Sequence, residues 1–365
     1  MEIPFGKYNL EQFLEYIVDN LSEVFDKGKQ RKWLKGHLVY AKQDWKEIFS
    51  NLESYQYGEI TKIKFNNNNE ILNFYAYEWA PGLLMLFTSS TEEDYEKTLK
   101  QFITERRGIT QCWIKPSIFE NVKNILTKKY EGQIYRFIAK RRKYWKTESQ
   151  LRSDIDRRLS YSGEDAEDTL KETKILYGLI PTSIDLTIYE SKIQINRSGL
   201  IVIRHINKKT IGILREIIDE VSNAQASIQQ ISETFKVTFN QIPMNKNQLN
   251  VSFIRPGKII LQDMKLSEAM IRTLFNDSTI EDQDEQEEAF NFSFIDVFIQ
   301  ENPELIFGAT VIDEEKGTIF GLSGLEKEII LIPKHRTTFE SFIKFYNIIE
   351  ENFDQSALLT HFSEY

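Results

Sequence analysis

Residues 60–108 read ITKIKFNNNNEILNFYAYEWAPGLLMLFTSSTEEDYEKTLKQFITERRG. Segments 60–65 and 71–77 are rich in Ile, Phe and Tyr, the residues that suit a half-buried pleated surface, and the polar run Asn66-Asn67-Asn68-Asn69 joins them. Pro81-Gly82 supplies a turn into a third apolar segment, 83–88. From residue 91 to 107 the period lengthens: Tyr95, Leu99, Phe102 and Ile103 fall on one helical face, and Gly108 stands beyond the end. The strand links are too short for a parallel crossover, which takes a dozen residues or more, so the strands pair antiparallel. Hairpin followed by helix is an α+β arrangement.

The same order recurs. Segments 192–196 and 200–206, turning at Ser198-Gly199, lead into a helix carrying Ile211, Leu214, Ile217, Ile218 and Val221. Segments 250–254 and 258–262, turning at Pro256-Gly257, lead into a shorter helix with Ile271, Leu274 and Phe275. In all three the turn glycine stands nine residues before the helix start: Gly82 and Thr91, Gly199 and Lys208, Gly257 and Leu266. A looser fourth copy runs through Gly317 and segment 328–332 to a helix opened by a Thr337–Glu340 capping box. The expected fold is α+β: antiparallel sheets built from repeated hairpin-then-helix units, with helices packed on one face. The repeat reads either as duplication or as a common motif used several times.

Upstream, residues 9–25 form an amphipathic helix: Leu10, Phe13, Leu14, Ile17, Val18, Leu21, Val24 and Phe25 recur at spacings of three and four, with Asn9 and Gln12 as a capping pair. Residues 276–288 carry Asp277, Glu281, Asp282, Asp284, Glu285, Glu287 and Glu288 with no basic residue, the composition of a solvated linker. The domain division that follows is 1–147, an N-terminal α+β domain ending in a basic segment; 148–275, a central α+β domain; the acidic linker 276–288; and 289–365, a C-terminal α+β domain.

At 365 residues, 41% hydrophobic and 28% charged, the chain has ample material for several packed cores. One cysteine, Cys112, excludes an intramolecular disulfide and any multi-cysteine metal site. No apolar run is long enough to span a bilayer and no signal peptide is evident, so a cytoplasmic location is expected, with no membrane partner.

Residues 128–158 stand against this background. Eleven Lys and Arg meet four Asp and Glu there, a local charge of +7 in a chain of net charge −9. Aromatic Tyr130, Tyr135, Phe137, Tyr144 and Trp145 are interleaved. Cations with flat rings suit a polyanion that also offers bases, which points to DNA or RNA. The candidate contacts are Arg136, Lys140, Arg141, Arg142, Lys143, Tyr144, Trp145, Lys146, Arg152, Arg157 and Arg158. Arginines grip phosphate with two parallel hydrogen bonds, lysines act as point charges, and Tyr144 or Trp145 stacks on an unpaired base. The bland alternatives are a solvated loop or a surface that docks an acidic partner.

Catalytic signals are weak. Glu190-Ser191-Lys192 and Glu314-Glu315-Lys316 match the Glu-x-Lys tripeptide of magnesium-dependent nucleases, and Asp185 precedes the first on what reads as one continuous strand. His37, His205, His335 and His361 are scattered, so no zinc site is expected, and no phosphate-binding glycine loop occurs. The expected function is therefore a nucleic-acid-binding, non-catalytic component of a larger assembly, with no cofactor and with a protein partner or homo-oligomer. A role in bacterial defence against mobile DNA would suit such a chain. The alternatives are a magnesium-dependent nuclease using a Glu-x-Lys site and an interaction subunit docking an acidic partner.

Overall fold

The computed structural model describes residues 1–24, 33–41, 45–67, 70–143, 145, 149–151, 155–244, 247–276, 292–301, 303–334 and 336–361, with the backbone alone at 22–23, 67, 70, 224–244, 247–253 and 276. The acidic run expected at 276–288 lies, apart from Asn276, outside them. The fold is mixed α+β with antiparallel sheets. Its helices are α1 (Leu10–Asp19), α2 (Leu21–Val24), α3 (Trp45–Ile48), α4 (Glu92–Tyr95), α5 (Gln101–Glu105), α6 (Pro116–Asn124), α7 (Ala166–Tyr177), α8 (Lys208–Phe235), α9 (Glu268–Asn276) and α10 (Phe339–Asn352). A π-helical turn, Glu96–Lys100, fuses α4 to α5, and a second, Ile125–Lys129, extends α6. By compactness the chain forms two units, Met1–Lys143 with Thr147–Ala226, and Tyr144–Lys146 with Ser227–Tyr365. Among the described residues no helix is long and apolar enough to cross a membrane.

The first unit is built on β1 (Trp33–Ala41), β2 (Glu53–Tyr57), β3 (Ile60–Asn67), β4 (Glu70–Ala80), β5 (Leu83–Thr88), β6 (Ile109–Gln111), β7 (Gln133–Arg141), β8 (Arg157–Ser162), β9 (Ile180–Ile188), β10 (Ser191–Asn196) and β11 (Leu200–Arg204). They form one sheet in the order β2-β3-β4-β5-β1-β11-β10-β9-β7-β8, with β6 also on β1. The two lobes expected on either side of residue 147 share this sheet, because β7 pairs with both β8 and β9.

Successive residues of a strand point to opposite faces, and β5 reports both faces of the sheet. Leu83, Met85 and Phe87 join the large core with Phe13 and Ile17 of α1, Phe119 and Val122 of α6, Leu170 of α7 and Leu214 and Ile218 of α8. Leu84 and Leu86 join a second core on the other side with Trp45, Ile48, Leu99, Phe102 and Ile103. Helices therefore cover both faces of the β3–β5 half, where one face was expected. The reason is in the strands: Leu72, Phe74 and Ala76 are as apolar as their neighbour Tyr75, so neither face tolerates water.

Local signals are well obeyed. Asn9 and Gln12 cap α1 reciprocally, each side chain accepting the other's backbone N–H, and α1 spends its apolar stripe on its own unit's core. Gly82 and Gly199 hold φ of +81° and +79° in their hairpin turns, where a side chain would be strained. Gly178 ends α7 in the left-handed conformation.

The second unit carries β12 (Lys236–Met244), β13 (Asn247–Ile254), β14 (Gly257–Ile260), β15 (Phe292–Gln300), β16 (Ile306–Asp313), β17 (Thr318–Leu325), β18 (Glu328–Pro333) and β19 (Leu358–His361). Its larger sheet runs β15-β16-β17-β18-β14-β19, and α9 and α10 cover one face. The hairpin expected at 250–262 does not form. β13 pairs with β12, the adjacent segment, while β14 finds β18 and β19 at long range. The cap of α10 is Thr338, whose hydroxyl accepts from the Ser341 N–H. Thr337, the expected cap, instead closes a turn with Lys334 and donates to the Ile319 carbonyl.

Candidate functional site

The basic segment does not present its cations as one exposed block. β7 carries Arg136 to an exposed position, but Lys140 and Arg141 are each only 2% exposed. The pleat sends these two neighbours to opposite faces of the sheet. Arg141 goes to the helix side, where its Nη1 donates to the Tyr177 carbonyl at 2.8 Å, in the last turn of α7. A cation is favoured there by the helix dipole. Arg157 stacks over the Tyr177 ring at 4.5 Å. Lys140 stands cross-strand from Arg158, which is half-buried. Arg142 is half-buried and Lys143 exposed, with the Lys143 backbone N–H donating to Asp156 at 2.5 Å.

Trp145, expected to stack on a base, is 3% exposed and donates its indole N–H to the Glu351 carbonyl at 2.7 Å. That carbonyl is among the last of α10, which the helix itself leaves without a partner. Tyr144, Lys146 and Arg152 lie outside the described residues. The expected picture of a solvated strand exit treated consecutive charges as equivalent; burial on alternate faces separates them.

Register instead gathers charge on the open half of the first sheet. One row across the strands runs Trp33, Arg204, Lys192, Thr187, Gln133. The next runs Lys35, Val202, Gln194, Asp185, Arg136. Gln133, Arg136, Thr187 and Lys192 are exposed, while Trp33, Tyr135, Gln194 and Arg204 are half-buried. The Arg204 guanidinium lies 4.1 Å from the Trp33 ring centre, and the Lys192 ammonium 5.2 Å from that of Tyr135. A bulge between Ile134 and Arg136 turns Tyr135 toward this side together with Arg136. Lys35 donates to the Ser90 carbonyl at 2.6 Å, and the Arg204 Nη2 reaches Gln194 at 3.5 Å.

Asp185, 3% exposed, sits beneath these cations. Burial raises its carboxyl above the ordinary range, against the opposing pull of Arg136, Arg204, the Tyr135 hydrogen bond and Lys192. The same burial, with the Asp185 charge, raises the Tyr135 hydroxyl. One buried acid under three cations leaves the face positive.

The sequence carried half of this signal. Ile193 and Ile195 alternate with Lys192 and Gln194, and Ile203 precedes Arg204, the pattern of strands with one largely polar face. What it lacked was the register that sets positions 33, 136, 185, 192 and 204 side by side.

The glutamates that open the two Glu-x-Lys tripeptides sit in turns. Tyr189 and Glu190 hold φ of +47° and +66° between β9 and β10, the two left-handed residues of a type I′ hairpin. Residues 185–190 are thus not one strand: the exposed Glu190 tops a turn, while Asp185 lies buried within β9. Glu314 to Lys316 lie in the β16–β17 turn, where Lys344 pairs with Glu315 and reaches Asp313 at 3.1 Å. Burial and the Lys344 charge lower the Lys316 ammonium to about 8. Among the described residues no three His, Cys, Asp or Glu side chains converge as metal ligands would. We expect labelled DNA and RNA to remain intact on incubation with the protein and magnesium, read on denaturing gels; chelator-sensitive cleavage lost in Glu190→Ala or Glu314→Ala would establish nuclease chemistry instead.

A family model named AF_0896_M and described as a family middle domain matches residues 118–195, which run from α6 to β10 and include Tyr135, Arg136, Asp185 and Lys192. No solved structure matches this chain. Over 329 residues it is 23% identical to an uncharacterized protein of Archaeoglobus fulgidus, an alignment that takes in 87% of this chain and 82% of the relative.

Proposed function

We propose that this protein binds nucleic acid on the open half of its first sheet, as a non-catalytic component of a larger cytoplasmic assembly. The observation that most supports this reading is the pairing of cations with rings across one face: Arg204 on Trp33 and Lys192 on Tyr135, with Arg136 alongside. A guanidinium or ammonium over a ring offers phosphate a charge and a base a flat neighbour at the same place. Arg158, cross-strand from Lys140 and on the face opposite Arg141 and Arg157, and the exposed Lys143 add positive charge on β8 and at the exit of β7. The net charge of −9 on the whole chain confines polyanion binding to such a patch.

The assembly part rests on the second sheet. Phe298, Ile306, Ile319, Ile332 and Leu358 are exposed on the face away from its core, 36–53% each, an apolar surface that suits a protein partner. Two hairpin-then-helix runs, β4–β5 into α4 and β10–β11 into α8, support descent from one repeated unit.

Fluorescence anisotropy with labelled DNA and RNA at several salt concentrations tests the reading. If about four phosphates are neutralised, log affinity falls with log salt at a slope of roughly −3 to −4. The double variant Arg136→Gln, Lys192→Gln removes two exposed cations, so it is expected to weaken binding at least tenfold, about 1.4 kcal/mol, with circular dichroism checking that the variant remains folded. Absence of binding at low salt ends the reading. Tighter binding to an acidic polypeptide of the same length would favour the docking alternative.

A further inference from the structure

We infer that the ligand of this face is an unpaired strand and not a duplex, an inference that rests on the nucleic-acid reading above. The first consideration is width. The row from Trp33 to Gln133 crosses β1, β11, β10, β9 and β7, four steps of about 4.8 Å or roughly 19 Å. The major groove of a duplex is about 12 Å wide and admits a helix or a two-stranded ribbon, so a sheet face of this breadth stays outside it. A duplex resting on the face would meet it through phosphates alone.

The second consideration is what lies between the cations. Trp33 and Tyr135 stand at opposite ends of the open face, each ring half-buried and each with a cation against it. Stacking on such rings requires a base with a free face, which a duplex supplies only at its ends. Gln194 and Thr187 lie on the strands between the rings and Gln133 beside Tyr135 on β7, where side-chain amides and a hydroxyl meet base edges. Those edges are available in a single strand and are paired in a duplex. Asp185 lies buried beneath, and the charges of Arg136 and Arg204 oppose the rise that burial imposes on its carboxyl.

The test compares fluorescein-labelled twelve-nucleotide oligo-dT and oligo-U with a twelve-base-pair duplex (lengths of about one such site) by anisotropy at low salt. Both single strands are expected to bind at least tenfold more tightly than the duplex. Trp33→Ala is expected to weaken the single strands about five- to tenfold and leave the duplex unchanged, with Trp33→Phe restoring most of the loss. Circular dichroism and melting accompany each variant, and Tyr135→Ala repeats the comparison at the other end of the row if Trp33→Ala fails to fold. A duplex that binds as tightly as the single strands overturns the inference and leaves the nucleic-acid reading standing. So does a folded ring variant that binds single strands like the parent. Absence of binding to all three probes overturns the nucleic-acid reading itself.

Discussion

Replacing Trp145 with alanine is expected to destabilise the second unit by about 3–5 kcal/mol, the range for deleting a large buried aromatic side chain. The indole is 3% exposed, and its N–H satisfies the Glu351 carbonyl at 2.7 Å near the end of α10. Truncation leaves a cavity and removes the indole donor from the Glu351 carbonyl in the same place. Trp145→Phe keeps most of the volume and loses the hydrogen bond, so it should cost about 1–3 kcal/mol. Denaturant titration followed by circular dichroism reads both variants. A Trp145→Ala protein as stable as the parent would show that this ring is not part of the packed unit and would return it to the list of candidate base-stacking residues.

Acidification from pH 6.5 toward 3 is expected to destabilise the first unit through His37. This ring lies on β1, 5% exposed and stacked on Tyr95 at 4.1 Å, and among the described residues its Nε2 has no hydrogen-bond partner. Burial, reinforced by the Lys35 charge, lowers its pKa to about 3 from an ordinary 6.5. In that interval the unfolded chain takes up a proton that the folded chain refuses. Stability contributed by the neutral ring is therefore complete above pH 6.5 and is lost as pH falls, at about 1.4 kcal/mol per pH unit. The whole window amounts to several kcal/mol. His37→Phe retains the stacking and removes the titration, so the variant should be as stable as the parent at pH 7.5 and clearly more stable at pH 4.5. Parallel melting curves of parent and variant across this range subtract the carboxylates common to both. Superimposable pH profiles would place the imidazole in contact with water.

The basic segment shows where local reading stops. Four charges in succession, Lys140 to Lys143, are read from sequence as self-repelling and solvated, so neutralising all four would be expected to leave stability unchanged. With Lys140 and Arg141 buried, and Arg141 bound to the Tyr177 carbonyl, that substitution becomes a core change and should be destabilising. The separation of the two is a consequence of the pleat and of the arrival of α7 behind β7, an element some thirty residues farther along the chain.

What the sequence by itself determined is what short range controls. The α+β class follows from strand links too short to cross over, the start of α1 from the Asn9–Gln12 capping pair, the end of α7 from Gly178, and two hairpins from Gly82 and Gly199. Each is fixed by residues within a few positions of one another, where dihedral preference and capping geometry act directly. Only the tertiary structure decided which residues share a surface. Trp33, Arg136, Asp185, Lys192 and Arg204 come from five strands, and their assembly depends on the register of β1 against β11, β11 against β10, β10 against β9 and β9 against β7. A slip of one residue in any of these pairings would turn its charges into the apolar core, so the burial of Ile193, Ile195, Ile201 and Ile203 on the other face is the physical reason the charged face exists.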